Sequence, residues 1–277
     1  MTRAAARVPT RTPPDLEFRP RNEKFDLEAL LATDWAGGDP VRTAFWNALS
    51  SLFPVGEQFF MDSVRPFMDR IQDERMRRDV RAFCGQEAVH SREHQRYNEA
   101  LCAARGVDLA ALEARMRRNL AYARENVPPV GHLAVTVAYE HFTAILAHQI
   151  LTEPSWTEEM PAEMRRLWIW HAIEETEHKA VAFDVFMAVN GKRKHLRRAL
   201  LYVSHEFTSH ILRNGMLLLR GSGIPGPVAF ARLSALTARL MWAAKGDWMD
   251  FFRGDFHPWR HDNRAVLAQA LAAYGRG

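Results

Sequence analysis

The chain has 277 residues, 47% apolar and 25% charged, with a formal charge of +4. That composition fits a soluble globular domain and excludes a disordered or fibrous chain. Its basic residues, mostly Arg, are spread along the chain and no nucleic-acid-binding motif accompanies them, so nucleic acid is not an expected partner.

Cys84 and Cys102 fall on one predicted helix, about 27 Å apart at 1.5 Å per residue. A disulfide needs Cα atoms within about 7 Å, so both read as free thiols of a reducing compartment. No apolar h-region follows Arg3 and Arg7, and no run approaches the roughly 18 apolar residues of a membrane-spanning helix. A cytoplasmic location is the expectation.

Residues 1–23 are rich in Arg, Pro, Ala and Thr without an apolar period, which predicts a disordered or loosely attached arm. Residues 24–277 then read as one helical domain. Asp39-Pro40 opens a helix through Phe45, Trp46, Leu49, Leu52 and Phe53. Pro54 and Gly56 interrupt it, and a second run continues from Gly56 to about Ile71 with Pro66 as a kink. Glu57 lies at its start among aromatics. The next helix runs from Asp73 to about Ala104, with Gly106 as its C-terminal cap. Its inward stripe is Val80, Phe83, Glu87, His90, His94, Tyr97 and Leu101.

Asp108 caps a shorter amphipathic helix to about Asn126, ended by Pro128-Pro129. The helix over about 130–151 is the most apolar of these, and Glu140 sits in mid-stripe as its lone acid. A helix from about Ala162 to Val189 carries Leu167, His171, Glu175, His178, Ala182 and Val185 on one face, and Asn190-Gly191 closes it. Helices over about 192–220 and up to about Ala244 follow. The short aromatic end holds Trp248, Phe251, Phe252, Phe256, His257, Pro258 and Trp259. Nothing alternates with the period of a strand. The fold class is all-α.

Glu87-x-x-His90 and Glu175-x-x-His178 each place a carboxylate and an imidazole on one helical face. One such pair is expected by chance, so the weight lies in conjunction. Both pairs sit on interior stripes of different helices, and Glu57 and Glu140 supply one carboxylate from each of two more. Two Glu-x-x-His helices plus two single-Glu helices form the ligand set of a di-metal carboxylate site in a four-helix bundle. Burying these groups is costly unless they are paired or metal-bound. Four carboxylates balance two divalent ions, and O/N ligation suits iron or manganese without excluding zinc.

These residues resemble the ferritin-like di-iron carboxylate superfamily. The resemblance implies a ferritin-like four-helix bundle, here with additional N- and C-terminal helices, holding two iron ions (manganese or zinc as substitutes). His171 stands four residues before Glu175, and His-x-x-x-Glu-x-x-His looks like the second motif of the arylamine N-oxygenase branch. Carried over by position, the ligands would be Glu57, Glu87, His90, Glu140, His171, Glu175 and His178. The chain over about 40–262, with Phe-His-Pro-Trp at 256–259, also resembles a bacterial family described as predicted metal-dependent hydrolases.

The first functional expectation is an O2-activating di-iron oxygenase or oxidase. Its partners would be a small organic substrate, O2 and an electron donor, with a homodimer as one oligomeric option. A binuclear metal-dependent hydrolase is the alternative, and iron storage or metal buffering the third. His94 reads as a hydrogen-bonded core residue ahead of an added ligand. Glu174 and Glu177, off the stripe, read as solvated or as supports of the ligands. His141 and His148 read as structural, His205 and His210 as surface or packing residues, and Trp168 and Trp170 as core. The aromatic end reads as a cover over the bundle, ahead of a membrane-surface segment or a lid.

Overall fold

Polar caps and prolines set where the helices begin. In the computed structural model, which describes residues 10–275, a single turn α1 (Glu28–Leu31) precedes α2 (Pro40–Ser50). Asp39 opens α2 by accepting from the Val41 amide at 2.8 Å, and Pro40 occupies the first turn, where no amide donor is needed. α3 (Phe53–Val64) starts on Pro54 and gives way at Arg65 to a 3-10 stretch through Arg70. α4 (Glu74–Arg105) is capped by Asp73, which accepts from Met76 N at 3.0 Å. Gly106 ends it at φ 64°, the left-handed conformation that glycine adopts without a Cβ clash.

α5 (Leu109–Asn126) crosses to α6 (Pro129–Thr152), which returns as α7 (Ala162–His178). α3 packs on α4 and α6, and α7 packs on α6 and α4, so the four close into a ring of neighbours. Two hairpins joined by one crossing connection make a four-helix bundle. α8 (Val181–Val189) continues behind α7 against α4 and α6. Outside the ring, α9 (Arg193–Leu218) lies on α2 and α6, and α10 (Gly226–Ala243) on α9 and α2. α11 (Lys245–Asp250) touches α6 and α10, and α12 (Arg264–Tyr274) covers α7. Among the described residues there is no strand. The all-α bundle with extra helices at both ends, expected from the sequence, is the observed architecture.

α6 is the one described helix long and apolar enough to cross a membrane, and 67% of its apolar window is buried in the bundle. Cys84 and Cys102 are free thiols on α4, as expected.

One boundary differs from the sequence reading. The helix expected over 162–189 breaks at Lys179 and Ala180, directly after His178. There the buried Lys179 ammonium donates to the His261 carbonyl at 2.7 Å and to Asn263 Oδ1 at 2.6 Å. The segment expected as a loose arm makes contacts of its own where it is described. Residues 1–9 lie outside the described residues, but 10–23 are held against the bundle. Phe18 is buried, and Thr10 Oγ1 donates to Asp184 at 2.7 Å. Pro20 lies over Gly85 of α4, where an added Cβ would come within 2.4 Å of the proline ring. The segment has no periodicity because it is extended, and single side chains anchor it instead of a helical face.

Candidate metal centre

Helical spacing brings the seven acids and imidazoles to one place. α3 contributes Glu57, α4 Glu87 and His90, α6 Glu140, and α7 His171, Glu175 and His178, all of them buried. Their donor atoms form three overlapping groups in which every member lies within 4.8 Å of the others. These are Glu57, His90 and His171; Glu87, Glu140 and His178; and Glu87, His90 and Glu175.

The overlap has a definite geometry. His178 Nε2 faces Glu87 Oε1 at 3.2 Å, Glu175 Oε2 at 3.4 Å and Glu140 Oε2 at 3.5 Å. The second oxygens of Glu87 and Glu175 turn the other way, to within 4.0 and 3.6 Å of His90 Nδ1. Glu87 and Glu175 therefore each span two donor groups, one around His178 and one around His90 and His171. Donors at about 2.1 Å from a shared ion sit roughly 3 Å apart when cis, which is the spacing around His178.

Most of these atoms have no hydrogen-bond partner. Both oxygens of Glu57, Glu87 and Glu140 are unsatisfied, as are Glu175 Oε2, His178 Nε2 and both ring nitrogens of His90. Leaving one buried polar group unpaired costs about 1–3 kcal/mol, and more if it is charged. So many in one core is intelligible if a cation completes them, and the residues fit bound metal on this ground.

The electrostatics point the same way. Burial pushes Glu57, Glu87 and Glu140 well above the usual carboxylate range, and the neighbouring Glu175 adds to it in all three. Burial also acts on Glu175, but the imidazoles of His178, His171 and His90 beside it outweigh it and hold Glu175 well below that range. Burial works against a charged His90, but the adjacent Glu174 and Glu175 outweigh it and push it up to about 10. Burial, reinforced by His90, takes His171 down to about 4. Four carboxylates this close lack the positive charge to ionise together.

Side chains behind the cluster orient it. His90 Nε2 lies 3.1 Å from Glu174 Oε2, without hydrogen-bond alignment, which leaves Nδ1 for the carboxylates. Arg21 forks onto Glu174 Oε1 at 3.1 Å and Glu177 Oε1 at 2.6 Å. Neither glutamate is solvated: both are buried, and they support the ligands from outside. His171 Nδ1 meets His94 Nε2 at 2.8 Å, and His94 Nδ1 meets Ser50 Oγ at 2.9 Å, so His94 is a hydrogen-bonded core residue. Beside His171 and Glu175 lies a void of about 10 Å3, walled by Leu49, Phe53, Leu146, Ile150 and Trp168. A roomier groove of about 490 Å3 lies on the outer side of α3, α4 and α5.

Sequence reasoning missed Arg21 and Gln86. Arg21 comes from a segment with no periodic signal, and Gln86 lies off the inward stripe, although its place next to Glu87 is a signal. Among the other histidines, His141 packs on Phe251 and Phe256, His148 meets Asn263 at 2.9 Å, and His210 is buried against Ser51. His205 is exposed, and Trp168 and Trp170 are core. Phe251 and Phe256 make the C-terminal segment a cover over α6 and α8.

A search of curated proteins gives no match. A search of solved structures gives none either. A family model does match, over residues 19–262, a span that holds all seven clustered residues together with Arg21 and the Phe-His-Pro-Trp segment, and the chain accordingly belongs to the family described as predicted metal-dependent hydrolases.

Proposed function

We propose that this protein is a dinuclear metal-dependent enzyme whose ions are held by Glu57, Glu87, His90, Glu140, His171, Glu175 and His178. The observation that carries this reading is the way Glu87 and Glu175 divide their oxygens between His178 and His90. A carboxylate with one oxygen towards each of two donor groups suits a bridge between two ions. A metal pair bound there would supply Lewis acidity and lower the pKa of a water towards neutrality. Hydrolysis is the chemistry that the family description favours, and it is the reaction we put first.

The chain's own residues supply the setting. Glu57, Glu87, Glu140 and Glu175 carry the negative charge that two divalent cations need. Gln86 holds the ring of His178, and Glu174 lies 3.1 Å from Nε2 of His90, so that the other nitrogen of each ring faces inward. Phe53 and Trp168 pack against His171 with ring centroids at 4.5 and 6.4 Å, and exclude water from that side.

Oxidation of a small organic substrate by O2 at a di-iron pair, with an external electron donor, is the second reading. What favours it is the void beside His171 and Glu175, apolar and at the lower limit for one water. The donor set of four carboxylates and three imidazoles, without thiolate, suits iron.

The test is reconstitution of metal-free protein without oxygen, using Fe(II), Mn(II) or Zn(II) in turn. Two ions per chain, with ester or phosphoester hydrolysis and no O2 uptake, is the expected result. O2 uptake by the Fe(II) form, with an optical change and no hydrolysis under any metal, would replace the first reaction with the second. Failure to hold two ions sinks both.

A further inference from the structure

We propose that the outer face of α9, α10 and α11 docks on an anionic lipid surface. The formal charge of +4 conceals a division. Residues 192–250 hold ten Lys and Arg against three acids, Glu206, Asp247 and Asp250, so the remainder is net acidic. Glu206 is already taken by Arg115 at 2.8 Å, and Asp247 and Asp250 face His261 at 3.6 and 3.0 Å. α10 itself has two arginines and no acid.

The same stretch carries the exposed apolar surface. Of the seven large hydrophobic side chains exposed among the described residues, six fall within 192–250: Leu201, Tyr202, Val228, Phe230, Trp242 and Met249. Trp242 is 71% exposed, with the Lys245 ammonium 3.5 Å from its ring centroid. On α10, Val228, Ala231, Ala235, Ala238 and Trp242 recur at 3-4-3-4 spacing, and all are exposed. They form a stripe about 21 Å long at 1.5 Å per residue. The opposite face, Ala229, Leu233, Thr237 and Leu240, is buried. Gly215 of α9 fixes that orientation: a Cβ there would meet Leu233 at 2.6 Å, so the two helices approach closely.

Trp248 Nε1 donates to Ser204 Oγ at 2.9 Å, which ties α11 to α9. Lys194, Arg198, Arg220 and Lys245 of the same helices and the turn between them are exposed. An apolar stripe with an interfacial Trp and accompanying basic residues is the composition of a helix lying in a headgroup layer. Acyl boundary and anionic headgroup would each meet their complement.

Charge decides against the other occupants. A two-fold pairing of copies presents the same patch to itself and would oppose ten basic residues to ten with three acids on each side. Nucleic acid would satisfy the charge, but a stripe of Val, Ala and Trp offers a base edge only the single indole N–H of Trp242 and no acceptor.

The experiment floats the full metal-loaded chain with vesicles of phosphatidylcholine, alone or with phosphatidylserine, at about 0.05 and 0.5 M salt. Binding is expected only to the phosphatidylserine vesicles and only at low salt. Ala235→Glu with Ala238→Glu should cut it at least about tenfold, with an unchanged melting curve because both positions are exposed. Lys194→Glu with Arg198→Glu is the second variant, on the neighbouring helix, and should also weaken binding. The proposal is overturned if the wild type does not float, or if both variants float as it does. A dimer in sedimentation that Ala235→Glu abolishes, or tighter binding to duplex DNA than to vesicles, overturns it as well.

Discussion

The Gln86 carboxamide lies between Glu177 and His178, and this contact decides which nitrogen of His178 faces the cluster. Gln86 Nε2 donates to Glu177 Oε2 at 2.8 Å, so its oxygen is the atom 3.0 Å from His178 Nδ1. An amide oxygen only accepts. His178 Nδ1 therefore carries the proton, and Nε2 presents its lone pair to Glu87, Glu140 and Glu175. Removing the amide in Gln86→Leu should lower metal affinity about 10–100-fold, the usual effect of losing a group that orients a ligand. Chelator competition measures this. Unchanged affinity would show that the neighbouring packing alone orients the ring.

Glu57 should have opposite effects on the metal-free and metal-loaded forms. Burial raises its pKa well above the unfolded value, so the folded metal-free chain holds a proton that the unfolded chain releases. Stability from this group is present at low pH and lost as pH rises through the folded pKa. Glu57→Gln should raise the metal-free Tm at pH 8, where about 1 kcal/mol corresponds to roughly 2–4 °C. With metal bound, the same change should lower Tm, because a ligand is gone. Calorimetry of both forms checks the signs, and a fall in both would count against a shared metal site.

Arg21→Ala should detach the N-terminal segment. It removes one guanidinium from two buried carboxylates, Glu174 and Glu177. Leaving a buried charge unpaired costs about 3–5 kcal/mol, with the lower end expected because Arg21 is 26% exposed. Denaturant titration measures the loss. Limited proteolysis should show new cuts within residues 10–25, and protection equal to wild type would refute the anchoring role.

His210 should make the fold acid-sensitive independently of metal. It is buried on α9 between Ser51 Oγ at 3.0 Å and Asn214 Nδ2 at 2.9 Å. Burial, assisted by Arg213 and Arg115, lowers it from 6.5 to about 3. Between those values the unfolded chain binds the proton and the folded chain does not, so this contribution falls as pH drops through that window. At about 1.36 kcal/mol per pH unit, it reaches a few kcal/mol at the acid end. His210→Asn should flatten the dependence of Tm on pH from 6.5 to 4. An identical slope would place the acid sensitivity elsewhere.

The cluster was unusually legible because helical period is a local property. Glu87 and His90, or Glu175 and His178, share a face whatever surrounds them, and Asp39, Asp73 and Gly106 mark helix ends through contacts a few residues long. The break after His178 was not legible. Ala-Val-Ala-Phe continues the period, while the contacts of Lys179 at the break come from His261 and Asn263, more than eighty residues away. The anchoring of 10–23 was hidden for the same reason, since an extended segment is held point by point.

The sequence by itself determined an all-helical chain with four acid-bearing helices and the residues facing inward on each, because side-chain direction on a helix follows from spacing alone. Only the tertiary structure decided that Glu87 and Glu175 split their oxygens between two donor groups, and that Gln86, Glu174 and Arg21 orient them. It also left the 3-4-3-4 stripe of α10 facing outward. Those outcomes depend on how helices rotate and approach one another, and helix rotation is set by packing against neighbours distant in the chain.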